Sequence, residues 1–148
     1  MLEIFLKILK NQILITTLFA WIIAQSIKVG LGIIKNKRFD FRWLVGSGGM
    51  PSSHAAGASA LATSIGFKVG WDSVYFALAA SFAIVVMFDA QGVRRATGKQ
   101  AYILNRIMDD IYWQGKIKEE RLRELIGHTP VEVFAGMLLG IFIAFLRM

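Results

Sequence analysis

Four apolar stretches constrain this chain more than anything else in it: Ile13 to Leu31, Ala55 to Trp71, Val74 to Ala90 and Val131 to Leu146. Crossing about 30 Å of hydrocarbon takes roughly 17–25 helical residues, so each stretch is close to one membrane span. The second and third stretches are divided only by Asp72 and Ser73, which requires a tight antiparallel hairpin, with Trp71 at the lipid interface and Lys68 snorkelling. A pair of buried soluble helices is the competing reading for these two. Composition favours the membrane, because 55% of residues are hydrophobic and the mean hydropathy is +0.54, against roughly 45–50% apolar residues in a soluble domain. The expectation is an all-α integral membrane helical bundle, with about four transmembrane helices in a single domain over residues 1–148.

The N-terminus also has some features of a cleavable signal peptide, since Lys7 and Lys10 precede an apolar run and Ala24-Gln25-Ser26 follows. Bulky Trp21, Ile22 and Ile23 before that site, and apolar residues continuing to Ile34, favour a retained span.

Four antiparallel spans put the two polar connections, residues 35–53 and 91–129, on the same face of the membrane, so one site can draw on both. In the second connection Tyr102, Ile103, Ile107, Met108 and Ile111 recur at near-helical spacing, which predicts an amphipathic helix at the interface or against the bundle. The charged stretch from Lys116 to Glu124 reads as its solvated continuation. These connections hold twelve of the 17 Lys and Arg residues, whereas the opposite face holds Lys7, Lys10, Lys68 and Arg147. The positive-inside rule then places the loop face in the cytoplasm, and the expected location is the cytoplasmic membrane of a prokaryote. The net charge of +7 points to anionic partners. Nucleic acid is not expected, because the basic residues flank apolar stretches and do not interleave with exposed aromatics. Without cysteine there is no thiolate nucleophile, disulfide or cysteine metal site.

Histidine is the informative residue type, for the chain has only two. His54 lies in GSGGMPSSHAAG: glycines permit a tight loop, Pro51 stops a helix from starting earlier, and Ser52 or Ser53 can cap the helix that follows. A helix N-terminus presents N–H groups and partial positive charge, so this segment builds an anion site with an imidazole in it. The bland alternative is a capped helix with an incidental histidine. His128 weighs against that, occupying a matching position in GHTPVEVFAGMLLG before the last apolar run. His128, Glu132, Gly136 and Gly140 recur every four residues and line one stripe, with Gly136-x-x-x-Gly140 a close-packing motif of membrane helices. Glu132 also completes a capping box with Thr129.

A third element, FDAQGVRRATGKQA, follows the third span. Arg94 and Arg95 can offer planar bidentate donors to phosphate, or serve as ordinary interfacial arginines. Asp89 can hold one of them or simply end the helix. Gln25 and Lys28 lie one turn apart inside the first span, where ionisable groups are functional candidates unless they snorkel. Two histidines with several cations around a phosphoryl group satisfy a phosphoryl-transfer reaction, with one histidine as nucleophile and the other as acid. A metal site is not expected, since no H-E-x-x-H or similar compact ligand set exists.

GGMPSSHAAG, FDAQGVRRATGKQA and GHTPVEVFAG, in this order, resemble the divergent branch of the type 2 phosphatidic acid phosphatase superfamily, which includes the vanadium haloperoxidases; the likeness runs from about Gln25 to Gly136. The resemblance implies catalysis without a metal or cofactor, through a phosphohistidine intermediate. Pro51, Ser52, Ser53 and His54 match the family's Pro-Ser-Gly-His motif, with Ser53 replacing its glycine, and imply His54 as the general acid. His128 matches the nucleophile and Glu132 the orienting aspartate, lengthened by one methylene. Arg121 and Arg123 each miss the family's arginine position by one, which leaves Arg94 and Arg95 as replacements from the preceding span. Lys35 and Arg42 have the spacing of the first motif with Trp43 in place of its proline, and Lys28 competes with them.

The function expected is therefore a membrane lipid-phosphate phosphatase. Its substrate is a phosphate or diphosphate monoester such as phosphatidate, phosphatidylglycerophosphate or a polyprenyl phosphate. His128, His54 and Glu132 are the candidate catalytic residues. Lys28, Arg42, Ser52, Ser53, Arg94 and Arg95 are the candidate phosphate ligands, with Gln25 and Asp89 in support. The alternatives are a non-catalytic membrane protein that binds anionic lipids, and a transporter of phosphorylated lipids with short helices as its discontinuous elements. Association of copies through Gly136 and Gly140 is a further expectation.

Overall fold

A computed structural model of the chain describes residues 1–37, 39, 49–112 and 128–148. Six helices make up the described part: α1 (Leu2–Leu9), α2 (Gln12–Asn36), α3 (Ser53–Val69), α4 (Val74–Gln91), α5 (Val93–Tyr112) and α6 (Pro130–Arg147). The side chains of residues 93–97, 107 and 109–112 lie outside the description.

The apolar stretches set the framework. Helices α2, α4 and α6 are each long and apolar enough to cross a membrane. The fourth helix of the bundle, α3, differs in kind. Its sequence SHAAGASALATSIGFKV is mostly Ala, Ser and Gly, and it packs along α2, α4 and α6. Small side chains let backbones approach closely, and this packing is the main attraction available between helices that have left water. The large apolar residues instead face outward on the surrounding helices, as with Leu78, Phe82 and Phe145.

Three core clusters follow from this arrangement. Ala20 and Ala60 meet Ile143 and Ala144 where α2, α3 and α6 converge. Ala58 and Ala62 meet Ala79 and Ala83 across the α3–α4 hairpin. Ala55, Ala90 and Val133 close the end that carries the histidines.

Helix α6 comes closest to α3. A methyl group added at Gly136 would run into the backbone carbonyl of Ser52, and one at Gly140 into that of Ala56 and into Ser59 Oγ. Ser59 Oγ also donates across the contact to the Met137 carbonyl (3.0 Å). The glycine pair expected to join copies of the chain is thus buried in a contact within one chain.

Local chemistry sets the helix ends. Asn11 caps α2, accepting from the Leu14 N–H (3.1 Å), and divides it from α1, which sequence reading did not predict. Helix α2 continues five residues past Leu31 to Asn36. Helix α3 ends at Gly70, whose φ of 110° suits glycine. Trp71 therefore belongs to the turn, and its ring stacks edge-on against Phe67 and Phe76, 5.1 Å from each. Lys68 reaches Gln12 Oε1 (2.7 Å), so its ammonium ties α3 to the start of α2.

Only Gly92 separates α4 from α5. The predicted amphipathic helix is present and begins earlier than its apolar periodicity does. Among its described side chains Gly98, Ala101 and Asn105 are buried, Met108 is half-buried, and Tyr102 and Ile103 are exposed; Ile107 and Ile111 lie outside the described side chains.

Candidate active site

Three helix ends and the buried stripe of α2 build one polar site. Thr16, Ala20, Ala24 and Lys28 recur every four residues along that stripe, with Gln25 beside it. This periodicity carries Lys28 into the bundle, where it is only 9% exposed. A methyl added at Gly49 (φ +90°) would lie 3.1 Å from Lys28 Cγ, so the segment before His54 rests on the lysine's methylenes.

Ser52 caps α3, its Oγ accepting from the Ala55 N–H (3.3 Å). The cap puts His54 in the first turn, half-buried, while Ser52 and Ser53 are buried. The Ser52 N–H donates to the Glu132 carbonyl (2.9 Å) and the His128 N–H donates to the Ala90 carbonyl (3.1 Å). These two bonds pin the starts of α3 and α6 and the end of α4 to one another. Ala90 had no sequence signal for this role, because its backbone carbonyl does the work.

At the start of α6, the Glu132 N–H donates to Thr129 Oγ1 (3.3 Å) and the Thr129 N–H donates to Glu132 Oε2 (3.0 Å). The same Oε2 lies 3.2 Å from His128 Nδ1. Capping and orientation of the imidazole are thus simultaneous functions of one carboxylate oxygen. A carboxylate accepts only, so the proton of this pair belongs on Nδ1, which leaves a lone pair on Nε2. Thr129 holds the carboxylate in place, a role that follows from the capping box. Lys28 lies within electrostatic range of the Glu132 carboxylate.

The decisive geometry is between the histidines. Their ring centroids are 6.4 Å apart with planes inclined at 62°, and His128 is almost wholly buried. Residues far apart in sequence meet here because α3 and α6 pack side by side with their N-termini at the same end.

His54, His128, Glu132, Lys28, Ser52 and Ser53 are brought to that end, with Gln25 buried one turn below Lys28. Asp89 is half-buried in the last turn of α4. Arg42 and the side chains of Arg94 and Arg95 fall outside the described residues, as do Arg121 and Arg123. Ser52 serves the fold directly, with its hydroxyl oxygen and its N–H both engaged in the contacts above. Among the described residues, no three His, Asp or Glu side chains cluster as metal ligands would.

A helical membrane bundle that converges two imidazoles, a carboxylate and a lysine at one end defines a membrane protein with a buried two-histidine site. The chain belongs to the divergent PAP2 family, whose sequence pattern matches residues 9–143, in agreement with the resemblance drawn from its motifs. It is 41% identical over 147 residues to the uncharacterized membrane protein YuiD of Bacillus subtilis (strain 168), an alignment covering 92% of this chain and 93% of the relative. No solved structure matches it.

Proposed function

We propose that this protein is a lipid-phosphate phosphatase working through a phosphohistidine intermediate. The observation that carries the reading is the 6.4 Å separation of the His54 and His128 rings. A reacting atom in near-attack contact sits about 3–3.5 Å from its nucleophile, and a hydrogen bond to the leaving oxygen adds about 2.6–3.2 Å. With the phosphorus–oxygen bond between them those lengths come to somewhat more than the centroid separation, and ring nitrogens, which lie outside their centroids, can stand that far apart. Glu132 at Nδ1 of His128 supports the same assignment, because it leaves Nε2 as the nucleophile. Membership of the divergent PAP2 family supports it independently.

In the proposed reaction His128 Nε2 attacks phosphorus while the bond from phosphorus to the lipid oxygen breaks. Protonated His54 gives its proton to that oxygen, and the lipid alcohol leaves. Neutral His54 then takes a proton from water as the water oxygen attacks the phosphohistidine, releasing inorganic phosphate and restoring both histidines. Glu132 stabilises the positive charge that His128 acquires. Lys28, Arg42, Arg94 and Arg95 are assigned to the phosphate oxygens, the arginines from sequence position, with the α3 N-terminus contributing its partial positive charge.

The test is phosphate release from a panel of lipid phosphates by purified protein in detergent with chelator present. Wild type is expected to release phosphate, and the His54→Ala and His128→Ala variants are not. Equal release by wild type and His128→Ala would exclude His128 as nucleophile. Binding of lipid phosphate without turnover would favour an anionic-lipid binder, and movement of lipid across liposomes without phosphate release would favour a transporter.

A further inference from the structure

Among the described residues, two apolar clefts open toward lipid beside the site, and they differ in their relation to the histidines. The larger, about 550 Å³, lies between α4 and α6, with Gln91, Pro130, Phe134 and Met137 among its walls and neither imidazole. The smaller, about 250 Å³, lies between α2, α3 and α4, with His54 in its wall together with Trp21, Gly57, Leu61, Phe82 and Val86.

We propose that the smaller cleft, not the larger, holds the hydrocarbon chain of the substrate next to the leaving oxygen. This rests on the phosphoryl-transfer reading above. In-line displacement puts the leaving oxygen opposite the nucleophile, and therefore on the His54 side of phosphorus. A chain attached to that oxygen starts beside His54 and meets the cleft whose wall His54 forms. From His54 to Leu61 the cleft follows α3 for roughly 10 Å at 1.5 Å per residue.

Small residues keep this wall of α3 open: a methyl added at Gly57 would sit at ordinary contact distance, 3.7 Å from Trp21 Cβ and 3.9 Å from the Thr17 carbonyl.

The experiment is photolabelling of the full-length protein in detergent with farnesyl phosphate carrying a diazirine midway along its chain. Labelled residues are mapped by mass spectrometry, and phosphate release is measured in parallel. Label on Leu61, Phe82 or Val86, suppressed by excess farnesyl phosphate but not by farnesol, is the expected result. Gly57→Leu, which fills the cleft, should lower that label about tenfold, the scale of discrimination by a small steric change in an apolar pocket. Gly57→Ala fits at ordinary contact distance and reports on folding, and Ile84→Trp, in the larger cleft, should label and turn over as wild type does. Label on Pro130, Phe134 or Met137, or no competable label, would overturn the proposal even if phosphate is released. Label in the small cleft without phosphate release would sink the phosphatase reading and leave the cleft assignment standing.

Discussion

Replacing Gly136 by alanine is the sharpest test of how the site is assembled. The new methyl would overlap the Ser52 carbonyl, at the residue whose N–H holds the Glu132 carbonyl at 2.9 Å and whose hydroxyl caps α3. Helix α6 must move away, and the contact setting the spacing of His54 and His128 goes with it. Overpacking a tight contact costs about 1–3 kcal/mol, and losing the Ser52–Glu132 bond adds about 0.5–1.5 kcal/mol. Against this stands a gain of about 0.5–1 kcal/mol from replacing glycine in a helix interior. The net expectation is a loss of roughly 0.5–4 kcal/mol, from the same terms. Gly30→Ala supplies the control: its methyl would meet nothing within 4 Å, so only the gain remains. Thermal or denaturant unfolding in one detergent, with both variants in parallel, separates the two. Gly136→Ala should be the less stable and should lose phosphate release even below its unfolding transition. Equal stability of the two variants would refute the close approach of α3 and α6.

Other substitutions probe the site piece by piece. Glu132→Gln keeps an acceptor near His128 but removes the negative charge, and should lower kcat by about 10²–10⁴ with little change in KM, as steady-state phosphate release will show. Lys28→Met keeps the stem on which Gly49 rests and removes the ammonium, so it should raise KM and lower kcat while leaving the unfolding midpoint near that of wild type. Ser59→Ala deletes the hydroxyl that bonds the Met137 carbonyl; such bonds in membranes average about 0.6 kcal/mol, and the unfolding shift should be correspondingly small, with turnover unchanged.

Much of the framework was legible because lipid imposes it. Apolar runs long enough to span became helices, and Ser52 and Thr129 capped the helices that follow them. The four-residue spacing of His128 and Glu132 predicted their contact, since it is set by the helix itself. Helix α1 escaped notice because its eight residues adjoin the first span, with only the Asn11 cap to mark a boundary. The end of α3 was misplaced by reading Trp71 as the last residue of an apolar run, when Gly70 had already ended the helix. Tertiary contacts were the least legible. That Glu132 would offer its carbonyl to Ser52, and Ala90 its own to His128, depends on backbone groups that every residue carries. The approach of the two imidazoles follows from those bonds and from glycines pressed against α3, so histidine positions along the chain suggested it without fixing a distance.

The central claim is that His128 carries the phosphoryl group between lipid and water. Its most direct test is to mix purified protein with a ³²P-labelled lipid phosphate, quench in alkali within one turnover, and map the radiolabel. An acid-labile, alkali-stable phosphoryl group on His128 is expected, increased in His54→Ala relative to wild type when an activated phosphate with a good leaving group removes the need for the acid. Phosphate released by wild type while His128 remains unlabelled at every quench time, including in that variant, would contradict it.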